Sequence, residues 1–220
     1  DALNNAAYFA YDADGNRHQA IDRLGRVTYY DYDALGRRVA QKDPLGGQHD
    51  YQYDAADNLI AEADELGRAT YYGYDGVGNR SVRVNAAGAA SYYAYDIRGN
   101  ETSRRDELGR VTERSYDAVG LLVSETDPTG ASVYYGYDAV RNRTLQVDQR
   151  GNPTYFHYDA VNRQKGQMDA LGGERYFVYD ERGNRLAEVD ELGRATYYSY
   201  DLADRRTGTK DALGNETGYV

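Results

Sequence analysis

The stretch Val27-Thr28-Tyr29-Tyr30-Asp31-Tyr32-Asp33-Ala34-Leu35-Gly36-Arg37-Arg38-Val39-Ala40-Gln41-Lys42-Asp43-Pro44-Leu45-Gly46 holds two strands and two turns. Val27 to Asp33 is rich in the β-branched and aromatic residues that fit a pleated surface. Ala34-Leu35-Gly36-Arg37 reads as a turn, Arg38 to Lys42 as a second strand, and Asp43-Pro44-Leu45-Gly46 as the turn that closes it. One element per roughly 10 residues is the spacing of all-β folds.

The pattern recurs along the whole chain. Tyr-Asp stands at Tyr11-Asp12, Tyr32-Asp33, Tyr53-Asp54, Tyr74-Asp75, Tyr95-Asp96, Tyr116-Asp117, Tyr137-Asp138, Tyr158-Asp159, Tyr179-Asp180 and Tyr200-Asp201, every interval being 21 residues. A glycine keeps the same period at Gly25, Gly46, Gly67, Gly88, Gly109, Gly130, Gly151, Gly172, Gly193 and Gly214. An Asp stands three residues before each of them, except where Asn85 replaces it. All 25 Tyr fall in three phases of the repeat: the Tyr-Asp position and the positions two and three residues before it.

This periodicity settles a conflict in the composition. Val, Leu, Ile and Phe supply only 36 of 220 residues and the formal charge is -10, a balance typical of disordered chains. Disorder needs no phased aromatics, whereas stacked repeats with a shared face do. The reading is therefore all-β: tandem 21-residue repeats forming antiparallel hairpins in a continuous curved strip. Residues 1-220 form one array of ten repeats and a partial one, with no separate cap or linker. About 21 strands at about 4.8 Å each make a ribbon too wide to stay flat, so it should twist, coil or close.

In Asp22-Arg23-Leu24-Gly25-Arg26 a three-residue loop puts Gly25 at the left-handed position of a type I turn with a G1 bulge. The other turn carries Gly15-Asn16, Gly78-Asn79, Gly99-Asn100 or Gly183-Asn184, with Asp57-Asn58 and Arg141-Asn142 as departures. A symmetric form of that turn sets Asp33 opposite Arg38 and predicts a cross-strand ion pair. Thr28, Tyr30 and Tyr32 then share one face. Val27, Tyr29 and Ala40 share the other with that pair, so both faces carry aromatics.

Several function classes are excluded or weakened. Without Cys there is no disulfide, thiolate metal site or catalytic thiol. The excess of 36 acidic over 26 basic residues disfavours nucleic acid, and no apolar run is long enough to span a bilayer. Repeated Tyr-Asp carboxylates differ from the single irregular constellation of an active site. Asp12-Ala13-Asp14-Gly15-Asn16 hints at calcium but lacks the downstream Glu of an EF-hand loop, so an Asx-rich turn is the stronger reading. His18, His49 and His157 occupy three different phases and form no metal spacing. The Ser residues lack a nucleophile elbow. No enzyme, metal or cofactor is expected. Asn79, Asn100, Asn142 and Asn215 begin Asn-x-Ser/Thr sequons, acceptors for glycosylation if the chain meets that pathway.

The repeated Tyr-x-Tyr-Asp-x-x-Gly-Asn/Arg-Arg followed by Asp-x-Leu-Gly-Arg-x-Thr resembles the YD repeat of the RHS family, which includes bacterial polymorphic toxins, toxin-complex shell proteins and teneurins. The match covers essentially the whole chain. The resemblance implies β-hairpins in a long strip that spirals into a hollow shell, in an exported or cell-surface bacterial protein. Asp43-Pro44-Leu45-Gly46 and Asp127-Pro128-Thr129-Gly130 look like the Asp-Pro-x-Gly motif of the toxins' processing region. Both keep the ordinary repeat phase and read as turn variants.

The expected function is a non-catalytic structural wall, of a closed shell or of a self-assembled filament or tube. The alternatives are a glycan- or cell-surface-binding module using the Tyr columns and a slice of a toxin-encapsulating cocoon. The chain opens Asp1-Ala2-Leu3 without Met and stops inside a strand at Gly218-Tyr219-Val220. This predicts an excerpt of a longer shell or open β edges that pair with further repeats or other copies. Enclosed cargo or surface glycans are the expected other partners.

Overall fold

The computed structural model describes residues 6–219, so the expected opening turn Asp1-Ala2-Leu3 and the final Val220 lie outside the described residues. Among the described residues, twenty-one strands and no helix follow in sequence, from β1 (Tyr8–Tyr11) to β21 (Glu216–Gly218). The chain divides into two compact units, Asp1–Val111 and Thr112–Val220. The division falls at the first residue of β11 (Val111–Tyr116). In each unit every strand pairs antiparallel with the strand before or after it in sequence, which is what short turns at both ends of each strand require.

The strand pair quoted above becomes β3 (Val27–Tyr32) and β4 (Arg38–Lys42). Tyr29 stands opposite Lys42, Tyr30 opposite Gln41, Asp31 opposite Ala40 and Tyr32 opposite Arg38, with a bulge between the last two pairs. Val39 is the extra residue. The same offset recurs at Tyr53–Leu59, Tyr74–Arg80, Tyr137–Arg143 and Tyr179–Arg185.

This register corrects the expected Asp33–Arg38 pair. Arg38 faces Tyr32, and the Asp33 carboxylate instead pairs with Arg37 at 2.7 Å. The first turn is one residue shorter than the symmetric form. Gly36 at φ +75 takes up the left-handed step, and the Asp33 N–H donates to the Arg37 carbonyl at 2.9 Å. Arg38 consequently lies on the face of Tyr30 and Tyr32, and Ala40 on the face of Tyr29 and Asp31.

No large side chain among the described residues is fully buried. The best covered are small strand residues: Ala40, Ala61, Ser91, Gly166 and Ala187. Ala40, Ala61 and Ala187 occupy one repeat phase, and cross-strand neighbours there are matched in size. Gly73 sits opposite Val82, where a Cβ on the glycine would meet Val82 Cγ1 at 2.6 Å. Gly136 faces Leu145, His157 faces Gly166, and Val178 faces Ala187. Within each unit, packing energy comes from such cross-strand neighbours.

Candidate functional surface

Both turn classes are built the same way. In each, a glycine or a substitute accepts positive φ and its N–H donates to the carbonyl of the turn's first Asp: Gly25 to Asp22 at 2.9 Å, Gly36 to Asp33 at 3.0 Å. Asp57, Arg141, Asn162 and Asp204 occupy the glycine position at φ between 59 and 72. This backbone is strained for non-glycine residues but tolerated by Asn and Asp.

The Asp clamps its own turn. Asp33 Oδ1 accepts the N–H groups of Leu35 at 2.9 Å and Arg37 at 3.0 Å, while Oδ2 accepts Arg37 Nε at 2.7 Å. Where Asn follows the glycine, its Nδ2 takes the place of guanidinium, as from Asn79 to Asp75 at 3.0 Å. The side-chain hydrogen bond from Arg37 holds the Asp33 carboxyl below its ordinary value, and the Arg37 and Leu35 N–H groups add to this. The side chain and N–H of Asn79 do the same for Asp75. Stabilising the charged carboxylate lowers its pKa.

The Tyr of eight of the ten Tyr-Asp pairs reaches back to the preceding hairpin. Its hydroxyl donates to the carbonyl fifteen residues earlier: Tyr32 to Arg17 at 3.0 Å, Tyr53 to Arg38 at 3.1 Å, Tyr74 to Leu59 at 2.8 Å and Tyr179 to Gln164 at 2.9 Å. Burial raises the Tyr137 phenol, whose hydroxyl donates to the Leu122 carbonyl at 3.0 Å. On the same face arginines intercalate between rings. Arg17 lies 5.5 Å from Phe9 and 4.8 Å from Tyr30, and Arg38 lies 6.0 Å from Tyr30 and 4.8 Å from Tyr51. Arg143 lies between Tyr135 and Phe156, and Arg206 between Tyr198 and Tyr219. Each stack is worth about 0.5–1 kcal/mol at exposed sites.

Neither face is a buried interior. The Tyr30–Tyr32–Arg38 face is half-buried through these contacts, whereas the column of Tyr134, Tyr155, Tyr176 and Tyr197 on the other face is open, at 39 to 54% exposure. The turns line the two rims of each unit. One rim presents Leu24, Leu45, Leu66 and Leu108 in the first unit, and Leu171, Leu192 and Leu213 in the second. The opposite rim presents Leu35 and Val77 in the first unit, and Val119, Val140 and Val161 in the second.

The remaining candidates fall into this scheme. Asp12 spends its carboxylate on the N–H groups of Asp14 and Asn16 and on Asn16 Nδ2. His18, His49 and His157 lie on three separate strands, with His49 Nε2 3.7 Å from Glu65. Among the described residues no group of three His, Asp or Glu is placed to hold a metal ion. The four sequon asparagines each donate Nδ2, the atom that would carry a glycan, to the Asp of their own turn. The pattern Asp-x-x-Gly in both turns was the signal for a common geometry. The Tyr hydroxyl bond, spanning two strands, left no local trace.

A sheet of identically clamped turns, with Tyr and Arg interleaved on one face, defines a repeat scaffold. The RHS Repeat family model matches residues 11–48, 53–91, 95–132, 116–154 and 179–216, and the chain belongs to that family. No curated protein sequence matches it. Among solved structures, the chain is similar to the Photorhabdus luminescens Tc holotoxin pore, with 18% identity and TM-score 0.53 over 92% of this chain and 14% of that one. It is similar also to TcdB2-TccC3, with 18% identity and TM-score 0.59 over 97% of this chain and 12% of that one. At this identity the likeness is one of fold, and the chain spans under a sixth of these structures' length.

Proposed function

We propose that this chain is a stretch of non-catalytic wall in an exported, extracellular bacterial protein, working as one repeat array that encloses a cargo. The observation that carries the reading is uniformity. The same Asp clamp, Tyr hydroxyl bond and bulge recur from hairpin to hairpin, whereas catalysis needs one irregular constellation of groups. Membership of the RHS-repeat family supports it, as does fold likeness to a structure described as a Tc holotoxin pore. The test is electron microscopy of the native protein that contains this stretch. Closed hollow particles are the expected result. Fibres would replace the shell with a filament, and thin ribbons enclosing nothing would remove the wall reading. A second reading, adhesion to glycans, is favoured by the open column of Tyr134, Tyr155, Tyr176 and Tyr197. Absence of any saturable ligand on a glycan array would eliminate it.

A further inference from the structure

The rims carry aliphatic side chains that nothing in either unit covers. Leu45 and Leu171 are each 97% exposed, and Leu192, Leu213 and Val77 exceed three-quarters. Single exposed apolar residues need no explanation. Here, however, they recur in one phase of the repeat along both rims. In the second unit, Leu171, Leu192 and Leu213 occupy three successive turns of one rim, and Val119, Val140 and Val161 three successive turns of the other. Each set repeats every two strands, about 10 Å. The two sets share this pitch because both lie at turns of one antiparallel repeat, the Val set joining the strands from Val111 to Met168 and the Leu set those from Gln164 to Gly218. A partner with any other repeat could meet one or two of these side chains but not the row.

The Val rim is also cross-linked beyond the Val119 turn. Asn142 Nδ2 donates to Asn162 Oδ1 at 3.0 Å, tying the Val140 turn to the Val161 turn, and Arg163 to the Asp180 carbonyl at 2.8 Å and Arg182 to the Leu202 carbonyl at 3.0 Å continue the series through the next two turns. Its tips Ala118-Val119, Ala139-Val140 and Ala160-Val161 are uncharged, the exposed Arg141 being the one charged side chain directly beside a Val of the row. We infer that the Leu rim of one copy of this chain packs laterally against the Val rim of a second copy, turn row to turn row, without backbone pairing. The inference rests on the wall reading and gives the direction in which the wall grows. Because the joined surfaces differ, each copy keeps a free rim and the contact propagates.

The test is sedimentation velocity of the whole 220-residue chain over a range of concentration. Wild type should form larger species as concentration rises, more readily at high salt, which screens the repulsion between copies of charge -10. The triple variants Leu171→Glu/Leu192→Glu/Leu213→Glu and Val119→Glu/Val140→Glu/Val161→Glu change only exposed tips, and circular dichroism checks that both stay folded. Each alone should associate about tenfold or more weakly. An equimolar mixture should give a one-to-one dimer that grows no further, since each variant keeps the rim that the other lacks. Dimers of either variant alone, or assembly of both as in wild type through strand edges, would overturn the inference. So would a wild type monomeric at all concentrations. That last result would leave the shell reading to be decided by microscopy alone, so the two readings fail separately.

Discussion

Residue by residue, the chain replaces a core with local constraints. At Gly25 an added Cβ would meet nothing within 4 Å, and the backbone lies at φ +76. The cost of any side chain there is conformational alone. Gly25→Val should lose about 1–2 kcal/mol or slightly more and Gly25→Asn less, read by urea unfolding. The Tyr hydroxyl bond can be separated from the ring that carries it. Tyr179→Phe keeps the ring and removes the bond to the Gln164 carbonyl, a loss of about 0.5–1.5 kcal/mol. Tyr176→Phe, on the open column, should change stability by less than about 0.5 kcal/mol. Equal effects of the two variants would deny the bond its role.

At the scale of strands and turns, two couplings matter. The size match across a hairpin makes Gly73 and Val82 dependent on each other. Gly73→Val alone should cost about 1–3 kcal/mol through overpacking, and adding Val82→Gly should recover at least half in a double-mutant cycle. The pair Val178 opposite Ala187 shows that the reversed arrangement fits the same site. The turn carboxylates couple stability to pH. Their folded pKa values lie below the unfolded ones, as at Asp33, Asp64, Asp75 and Asp190. The stability they contribute is therefore present above the unfolded value near about 3.9 and is lost as pH falls through the folded values. The melting temperature should hold steady from neutrality to about pH 5 and fall below about pH 4. Asp33→Asn should soften that fall.

At the scale of the molecule, the repeat is the unit of tolerance. Removing residues 64–84 deletes one full period from Asp64 and joins Ala63 to Asn85 in the same phase. The shortened chain should give the same β spectrum and a cooperative melt. Removing residues 64–83 breaks that phase by one residue, which puts every following side chain on the wrong face of the pleat, and should abolish folding of the downstream strands. If both deletions behave alike, contacts between neighbouring hairpins are not what holds the array together.

The sequence by itself determined the elements. Period, strand order, antiparallel pairing and a left-handed glycine in Asp22-Arg23-Leu24-Gly25 follow from residues a few positions apart, because turn chemistry and β alternation are local. The structure alone decided what depends on register. The Asp33–Arg38 expectation failed by one position because two turn lengths fit the same residues, and a bulge at Val39 absorbs the difference. The Tyr32 bond to the Arg17 carbonyl, the intercalated arginines and the separation of half-buried from open tyrosines all arise between hairpins. Identical tyrosine-rich strands acquire different surroundings only once their neighbours are fixed in place, and the distance between those neighbours in sequence hides that from any local reading.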